Sequence, residues 1–399
     1  MHEPLLTLDQ AVERLLAAAE PVRARETVAL ADGLGRVLAA PVVSPVAVPP
    51  LDNAAMDGYA LRTSDWAAGR PLKLSQRIQA GQVGAALQPG EAARIFTGAP
   101  VPAGADAVAM QEDCEAQEGW VLIKRPPQPG EHIRRAGEDI AAGQTVLTAG
   151  ERLTAARLGV AASTGATALT VHRRLRVAVF FTGDELVPPG RPLAPGQIYN
   201  SNRAVLTALL QGLGAEVEDL GEVPDDLEAT VATLRAASAR ADVVLTSGGV
   251  SVGEADYVRA AVERLGRIEF WRVAMKPGKP LTYGRLGATD FLGLPGNPVS
   301  AFVVFGLFVR PFLLRRMGAA VRPPLRLPVP AGFAWDRPGN RREFLRARIE
   351  EGRAVLYPNQ SSGVLTSVAW AEGLIDLDIG RTVAPGELVP FIPMSELLV

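Results

Sequence analysis

The feature that most constrains the fold is a regular alternation of short apolar runs with amphipathic stretches, which begins at Arg174. The apolar runs are typical of buried strands, and the stretches between them have the periodicity of helices of about three or four turns. Strands that alternate with helices form βαβ units, so we predict a three-layer α/β domain around a mostly parallel sheet. The apolar runs are RVAVFFT, EVEDLGEV, DVVLTS, IEFWRVA and DFLGLP, and the helical stretches include NRAVLTALLQGLG, LEATVATLRAASAR and EADYVRAAVERLG.

The rest of the chain predicts a multidomain α/β protein. At 399 residues it is longer than one hydrophobic core usually supports. Thr7 and Gln10 have the spacing of a capping box, and Thr154 is a candidate cap for a second helix. Elsewhere, Pro and Gly interrupt short apolar runs, which favours strands and tight turns. We predict an N-terminal α+β linker domain (residues 1–45 and 140–173), an inserted β-rich module (46–139), a central α/β domain (174–322) and a C-terminal small β-barrel (323–399).

Composition narrows the class of protein. The chain has 41 basic and 43 acidic residues, so no general field attracts nucleic acid or an acidic membrane. Its single cysteine, Cys114, excludes an intrachain disulfide framework and a thiolate metal cluster. The N-terminal residues do not resemble a secretory signal, and Val299–Leu314 is too short for a membrane span and is interrupted by Arg310 and Pro311. We expect a cytoplasmic enzyme.

Unusual polar residues follow the predicted strands of the α/β domain. In an open α/β sheet, ligands bind beyond the carboxyl ends of the strands, so these loops should meet at one rim. Ser247, Gly248 and Gly249 lead from a strand towards a helix and expose backbone N–H groups to an anion. Lys276 and Lys279 lie on either side of a Pro-Gly turn, where both ammonium groups can reach one anion. Alone, each pattern is also explained as an ordinary turn, and the loop from Pro295 to Pro298 as a rigid helix start.

The same rim is rich in carboxylates, which would repel one another unless they bound a cation. Oxygen ligands of this kind suit Mg²⁺, which keeps part of its water shell and bridges to phosphate oxygens. Lysines together with a metal held by carboxylates predict a site for a phosphoanhydride. Each acid alone is equally well explained as a solvated loop charge or a helix cap. The acids are Asp184, Glu185, Asp225, Asp226, Glu254 and Asp256.

Two further observations bear on function. The inserted module has acidic motifs of its own around Asp57 and Asp139, and Thr97 lies in a third motif there. In addition, the chain has no G-x-x-x-x-G-K-[ST] sequence, and its Gly212-Leu-Gly214 pair ends a predicted helix instead of opening one. Ordinary P-loop nucleotide hydrolysis and NAD chemistry are therefore not expected.

Taken together, the motifs resemble the molybdopterin molybdenumtransferase family, called MoeA in bacteria and represented by the E domain of gephyrin in animals. The resemblance covers essentially the whole chain, and the motifs occur in the order of the family. They are DNAAMDGYA, IFTGAPVP, GED, TGDEL, TSGGVSVGEADY, KPGKP, GLPGNPVSA, NQSSGVLTS and PGELV.

The resemblance implies an elongated homodimer whose central domain is similar to molybdopterin adenylyltransferases. The site would lie between the central domain of one subunit and the inserted module of the other. The implied catalytic residues are Asp57, Thr97, Asp139, Glu185, Asp225, Asp226 and Asp256, with Glu185 and Asp256 as metal ligands and either Asp225 or Asp226 as the functional aspartate. The implied substrate-binding residues are Ser247, Gly248, Gly249, Lys276, Lys279, Pro295, Pro298, Ser362 and either Arg341 or Arg346.

The implied reaction is Mg²⁺-dependent insertion of molybdate into adenylylated molybdopterin with release of AMP. Transient contact with the adenylyltransferase and with molybdoenzymes is also implied, whereas nucleic acid and membrane partners are not. Two alternatives are a molybdopterin adenylyltransferase, which needs only the central domain, and a non-enzymatic scaffold. No general base is assigned, and the sequence does not distinguish molybdenum from tungsten.

Overall fold

The computed structural model describes residues 5–249 and 257–398, apart from the side chains of Phe270 and Trp271. Asp256 and Glu254, which the sequence places at the rim, lie outside the described residues. Thr7 and Gln10 form the predicted capping box at the first helix, and Thr154 caps the second. The helices are α1 (Leu8–Ala18), α2 (Ala155–Ser163), α3 (Ser201–Gly212), α4 (Leu227–Ser238), α5 (Tyr257–Leu265), α6 (Pro298–Val304), α7 (Arg310–Arg316), α8 (Thr366–Trp370) and α9 (Ser395–Leu398).

The strands of the first half of the chain fall into the N-terminal region and the inserted module. The N-terminal region contains β1 (Arg25–Ala29), β2 (Val42–Val43), β11 (Thr145–Leu147) and β12 (Ala168–His172). The inserted module contains β3 (Asn53–Ala54), β4 (Gly58–Leu61), β5 (Leu72–Ile78), β6 (Glu91–Ile95), β7 (Ala107–Met110), β8 (Cys114–Gln117), β9 (Trp120–Ile123) and β10 (Ile133–Arg134).

The strands of the second half form the α/β domain and the C-terminal domain. The α/β domain contains β13 (Arg176–Thr182), β14 (Leu186–Val187), β15 (Ile198–Tyr199), β16 (Glu216–Val223), β17 (Val243–Ser247), β18 (Arg267–Arg272), β19 (Met275–Lys276), β20 (Pro280–Leu286) and β21 (Thr289–Leu294). The C-terminal domain contains β22 (Leu327–Pro330), β23 (Arg342–Glu350), β24 (Arg353–Leu356), β25 (Gly373–Leu377) and β26 (Leu388–Pro393).

The α/β domain has the predicted mostly parallel sheet. Its strand order is β16-β13-β17-β21-β20-β18, in which five strands run in one direction and β20 runs in the opposite direction. Successive residues of β13 point to opposite faces. Val177, Val179 and Phe181 belong to a core shared with α1, α3 and α6, whereas Ala178 and Phe180 pack in the core under α4 and α5. The three-layer prediction is confirmed.

The prediction that the apolar segment is too short for a membrane span and is interrupted by Arg310 and Pro311 was wrong. The helix continues from Pro298 through Arg310 and Pro311 to Arg316, and a π-helical turn, Phe305–Val309, joins α6 to α7. Proline has no N–H to donate within a helix, and here it occupies the first turn after the π segment, where it is tolerated. By length and composition this helix could cross a membrane, but 78% of its most apolar window is buried inside the protein.

The inserted module and the N-terminal region are built from short strands. A mixed sheet of order β7-β4-β6-β5-β9-β8 forms the module, with a hydrophobic cluster on each face. In the N-terminal region, β1 pairs with β12 and β2 with β11 around a separate small core. Helix α1 does not contribute to that core. Its Leu8, Ala11 and Leu15 are buried with the α/β domain instead.

The C-terminal domain is a small, nearly closed β-structure, as predicted. Its sheet runs β19-β23-β25-β26-β22, with β24 beside β23. A bridge between Ala331 and Ala354 returns the chain after β22 to β24, so the strands curve around one core. The edge strand β19 comes from the α/β domain and pairs in parallel with Arg342 and Glu343. This pairing joins the two domains beside the carboxyl ends of the parallel strands.

Candidate functional site

A cavity of about 900 Å³ lies at the carboxyl ends of the parallel strands and is closed on one side by the C-terminal domain. It unites most of the loops that the sequence placed at one rim. Eleven of the predicted site residues line it, from both domains: Glu185, Asp225, Ser247, Gly248, Gly249, Lys276, Lys279, Pro295, Pro298, Arg341 and Ser362.

The glycine turn, Ser247–Gly249, packs tightly against the end of β13. Gly248 has a φ of +99°, and a Cβ there would lie 2.4 Å from the carbonyl oxygen of Thr182. Only glycine fits without a shift of the backbone. The Ser247 hydroxyl donates to the carbonyl of Pro295 (2.9 Å) and accepts a hydrogen bond from Asn202 Nδ2 (2.8 Å). These bonds hold the turn next to the loop that begins at Pro295.

The lysine loop, Lys276–Pro280, forms another wall. Gly278 has a φ of +105°, and a Cβ there would lie 2.5 Å from Val304 Cγ2, so the loop lies directly on α6. Both lysine side chains are exposed, as an anion site requires. Lys276 Nζ donates to Glu343 Oε1 (2.8 Å), whereas Lys279 makes no ion pair within the described residues.

The carboxylates of the cavity lie on the loops that follow β13 and β16. Glu185 and Asp225 line the cavity, and the Asp225 N–H donates to Asp184 Oδ1 (3.3 Å). Burial, followed by the negative charges of Asp184 and Glu185, raises the pKa of Asp225 above its usual range. Asp226 is not part of the lining, because its side chain caps α4 by accepting from the Ala229 N–H (2.8 Å). Of the two alternative aspartates, the structure therefore places Asp225 at the cavity.

The C-terminal domain contributes Arg341 and Ser362. Arg341 Nη1 donates to the Met275 carbonyl (3.3 Å), and the guanidinium lies beside the lysine loop. Arg346, the alternative arginine, is 1% exposed and donates to Ser367 Oγ, among other partners. Burial lowers its pKa to about 10. The structure thus places Arg341 at the cavity and Arg346 in the interior of the C-terminal domain.

Three predicted residues lie on the inserted module, apart from the described lining of this cavity. Asp57 Oδ1 accepts from the N–H (2.8 Å) and hydroxyl (2.7 Å) of Thr97, and these bonds lower the pKa of Asp57. Asp139 lines a second hollow of about 410 Å³ together with Arg134 and Glu138. In a single chain, the structure therefore does not bring Asp57, Thr97 and Asp139 to the main cavity.

Sequence reasoning missed two residues that shape the cavity. Asn202 Nδ2 donates to Ser247 Oγ and to the Gly296 carbonyl (2.7 Å), so it links two loops. The sequence does not distinguish it from Asn200, an asparagine two residues earlier that caps the helix. Glu343 is 3% exposed and holds Lys276. A charged residue in the segment RREFLRA gives no sign of burial, and the motif pattern singles out only the arginines of that segment.

Comparisons with known proteins agree with the motif pattern over nearly the whole chain. Three family models match: the MoeA N-terminal region (domain I and II) at residues 6–165, a probable molybdopterin binding domain at 178–315, and the MoeA C-terminal region (domain IV) at 328–394.

Curated relatives carry the corresponding name. A molybdopterin molybdenumtransferase of Haemophilus influenzae is 43% identical over 316 residues, covering 79% of this chain and 78% of the relative. Molybdopterin molybdenumtransferase 2 of Mycobacterium tuberculosis is 41% identical over 382 residues, covering 92% and 93%.

Solved structures give the same architecture. A molybdopterin biosynthesis MoeA protein from Pyrococcus horikoshii superposes with a TM-score of 0.79 at 34% identity, covering 98% of this chain and 99% of the other. A second structure of a MoeA protein from that organism gives a TM-score of 0.85 at 28% identity, covering 98% and 100%.

Proposed function

The chain belongs to the MoeA family of molybdopterin molybdenumtransferases, and we propose that it inserts molybdate into adenylylated molybdopterin, with release of AMP, in the 900 Å³ cavity. The observation that carries the proposal is the composition of the lining. Backbone N–H groups, two exposed lysines, an arginine and two carboxylates converge there from chain-distant loops.

In this proposal, the glycine turn and the lysine loop bind the diphosphate of the substrate. The Gly249 N–H group donates to its oxygens, and Lys276 and Lys279 neutralise its charge. The Gly248 N–H already donates to the Leu294 carbonyl (3.2 Å). Arg341 lies beside them and is suited to a phosphate or to anionic molybdate. Correct placement of the diphosphate next to molybdate would supply most of the catalysis, because no histidine lines the described cavity to act as a general base.

The carboxylates fit a hydrated Mg²⁺ ion. Among the described residues, no three His, Cys, Asp or Glu side chains are grouped as a complete metal cage. Mg²⁺ does not require one, because it keeps several waters and takes few protein ligands besides phosphate oxygens. Burial and the negative charges of Asp184 and Glu185 raise the pKa of Asp225, and a cation would relieve that repulsion. Glu185 and Asp225 would hold the ion, together with predicted Asp256, and the ion would polarise the phosphoanhydride as a Lewis acid.

We further propose that a second copy of the chain completes the site. Asp57, Thr97 and Asp139 belong to the motifs of the family but lie outside the described lining of the main cavity. A homodimer in which the inserted module of one subunit faces the cavity of the other would bring them to the substrate. Symmetric pairing of this kind is the commonest form of oligomer. We place the protein in the cytoplasm, in keeping with its single cysteine.

Mixing two inactive variants tests this arrangement. If Asp57→Ala and Lys279→Ala each abolish cofactor formation, randomly mixed subunits should recover about a quarter of wild-type activity, because half the dimers then contain one intact site of two. If the mixture stays inactive although the subunits exchange, both residues act within one chain.

Wild-type protein given molybdopterin, ATP and Mg²⁺ should not form the adenylylated pterin. Efficient adenylylation would favour the adenylyltransferase alternative.

A further inference from the structure

A buried carboxylate lies directly behind one of the proposed diphosphate-binding lysines. Glu343 is 3% exposed, and its two oxygens have different partners. Oε1 accepts from Lys276 Nζ (2.8 Å), and Oε2 accepts from Trp335 Nε1 (3.1 Å). The side chain of Lys276 is 54% exposed. The carboxylate is therefore internal, while the ammonium it holds lies at the cavity surface.

The backbone fixes the same contact. Strand β19 pairs in parallel with β23, with Lys276 opposite Glu343 in the register. The Arg342 N–H donates to the Ala274 carbonyl (3.1 Å) just before this strand. The lysine is thus attached to the C-terminal domain through both its main chain and its side chain.

The ion pair differs from a second buried carboxylate in the same domain. Asp376 is also 3% exposed, but it accepts hydrogen bonds from two arginines, Arg326 and Arg342. Burying a charge is expensive unless it is well paired, and two guanidinium groups neutralise Asp376 thoroughly. Glu343 has one half-exposed ammonium and one neutral indole instead. This pairing contributes little to folding by comparison, yet it restricts a flexible lysine at the cavity.

We infer that Glu343 is a positioning residue for diphosphate binding. An ammonium group has three N–H donors, and Glu343 occupies one of them. The other two remain for phosphate oxygens, and the long side chain no longer has to be ordered when substrate binds. Glu343 lines no part of the described cavity and acts only through Lys276. The inference rests on the proposed function, because it assumes that Lys276 binds the diphosphate.

Removing the charge of Glu343 should have two opposite effects on substrate affinity, and the net effect should be weaker binding. A carboxylate repels an anionic ligand, so its removal by itself favours binding. Lys276 is largely exposed, however, and solvent screens that repulsion. Loss of order in one long side chain costs about two- to twelvefold in affinity. We therefore expect Glu343→Gln to weaken binding of adenylylated molybdopterin within that range, raising KM while leaving kcat nearly unchanged.

A double-mutant cycle with Lys276→Ala tests the inference. Adenylylated molybdopterin is titrated in Mg²⁺ buffer into wild type, both single variants and the double variant. Glu343→Gln should have no further effect once Lys276 is absent. Asp376→Asn is the matched control, since it removes an equally buried carboxylate and should change the free energy of unfolding without changing affinity.

The outcomes separate the inference from the proposed function. If wild type does not bind the adenylylated pterin, the proposed function fails. If wild type binds it and Lys276→Ala weakens binding, the inference still fails in either of two cases: Glu343→Gln binds as tightly or more tightly, or its effect persists unchanged without Lys276. Should Glu343→Gln not fold, Glu343→Asp replaces it in the cycle, because the shorter carboxylate draws the ammonium away from the cavity.

Discussion

Replacing Gly248 with alanine should separate backbone strain from steric contact in the glycine turn. The φ of Gly248 is +99°, which lies beyond the left-handed region that some L-residues tolerate. A new Cβ would also lie 2.4 Å from the Thr182 carbonyl oxygen and 3.2 Å from Thr182 Oγ1. Since the nearest atom belongs to the backbone of a central strand, it cannot move aside as the end of a side chain can.

The expected cost has two parts. A residue in a disfavoured backbone conformation costs about 1–3 kcal/mol, and overpacking of a dense interior costs about 1–3 kcal/mol more. Gly287 provides the control, because it has a φ of +62° in the turn between β20 and β21, and a Cβ added there would have no atom within 4 Å. Gly287→Ala should cost only about 1–2 kcal/mol, which is the strain alone.

Urea unfolding followed by circular dichroism measures both changes, and titration with adenylylated molybdopterin measures the effect on the cavity. Gly248→Ala should unfold at clearly lower urea than Gly287→Ala and should bind the pterin more weakly, because relief of the contact moves the Gly249 N–H group. If the two variants are equally stable, the contact with Thr182 does not constrain the turn. If Gly248→Ala binds the pterin as well as wild type does, the glycine turn is not part of the diphosphate site.

Three further results follow from the structure. Protons compete with a cation for Asp225, whose pKa is raised, so Mg²⁺ affinity measured by calorimetry should fall as pH decreases through the acidic range, and Asp225→Asn should remove that dependence. Burial acts to raise the pKa of Asp242, but its hydrogen bonds from Arg173 (2.7 Å each) and from the Arg176 N–H (2.9 Å), with the charges of Arg173 and Arg316, together outweigh burial and lower that pKa. Asp242→Asn should therefore cost about 2 kcal/mol of unfolding free energy at neutral pH, and the difference should shrink as pH falls below the usual carboxyl pKa, because the wild-type carboxylate becomes protonated. The Thr246 hydroxyl is buried with no hydrogen-bond partner in the described structure, so Thr246→Val should raise the unfolding free energy by about 1 kcal/mol, and an unchanged or lower melting temperature would contradict this.

Sequence periodicity is sufficient to predict the sheet and the rim because both depend on local patterns. Strand and helix lengths follow from apolar spacing, and parallel strands necessarily direct their following loops to the same edge. For this reason the sequence alone predicts that the glycine turn, the lysine loop and Glu185 share one rim. The structure brings all of them to one cavity.

The remaining features depend on tertiary packing, which a single sequence does not encode locally. Asp225 and Asp226 are adjacent and chemically identical, and only the start of α4 determines that Asp226 is the cap. Likewise, Arg341 lies just before β23, whereas Arg346 lies within the continuously buried part of that strand. Pro311 resembles an interruption in the sequence because the π turn before it leaves no clear sequence signal.

The lining of the cavity disfavours binding of a diphosphate alone and of a divalent cation alone. A free diphosphate would meet Glu185 and Asp225, and a free divalent cation would meet Lys276 and Lys279. Both encounters oppose binding, because like charges repel each other. A diphosphate that carries its cation satisfies both sets of charges, because the metal faces the carboxylates and the outer oxygens face the ammonium groups. With a formal net charge of -2 for the whole chain, no long-range field assists either ion. Recognition must therefore arise from this local separation of opposite charges.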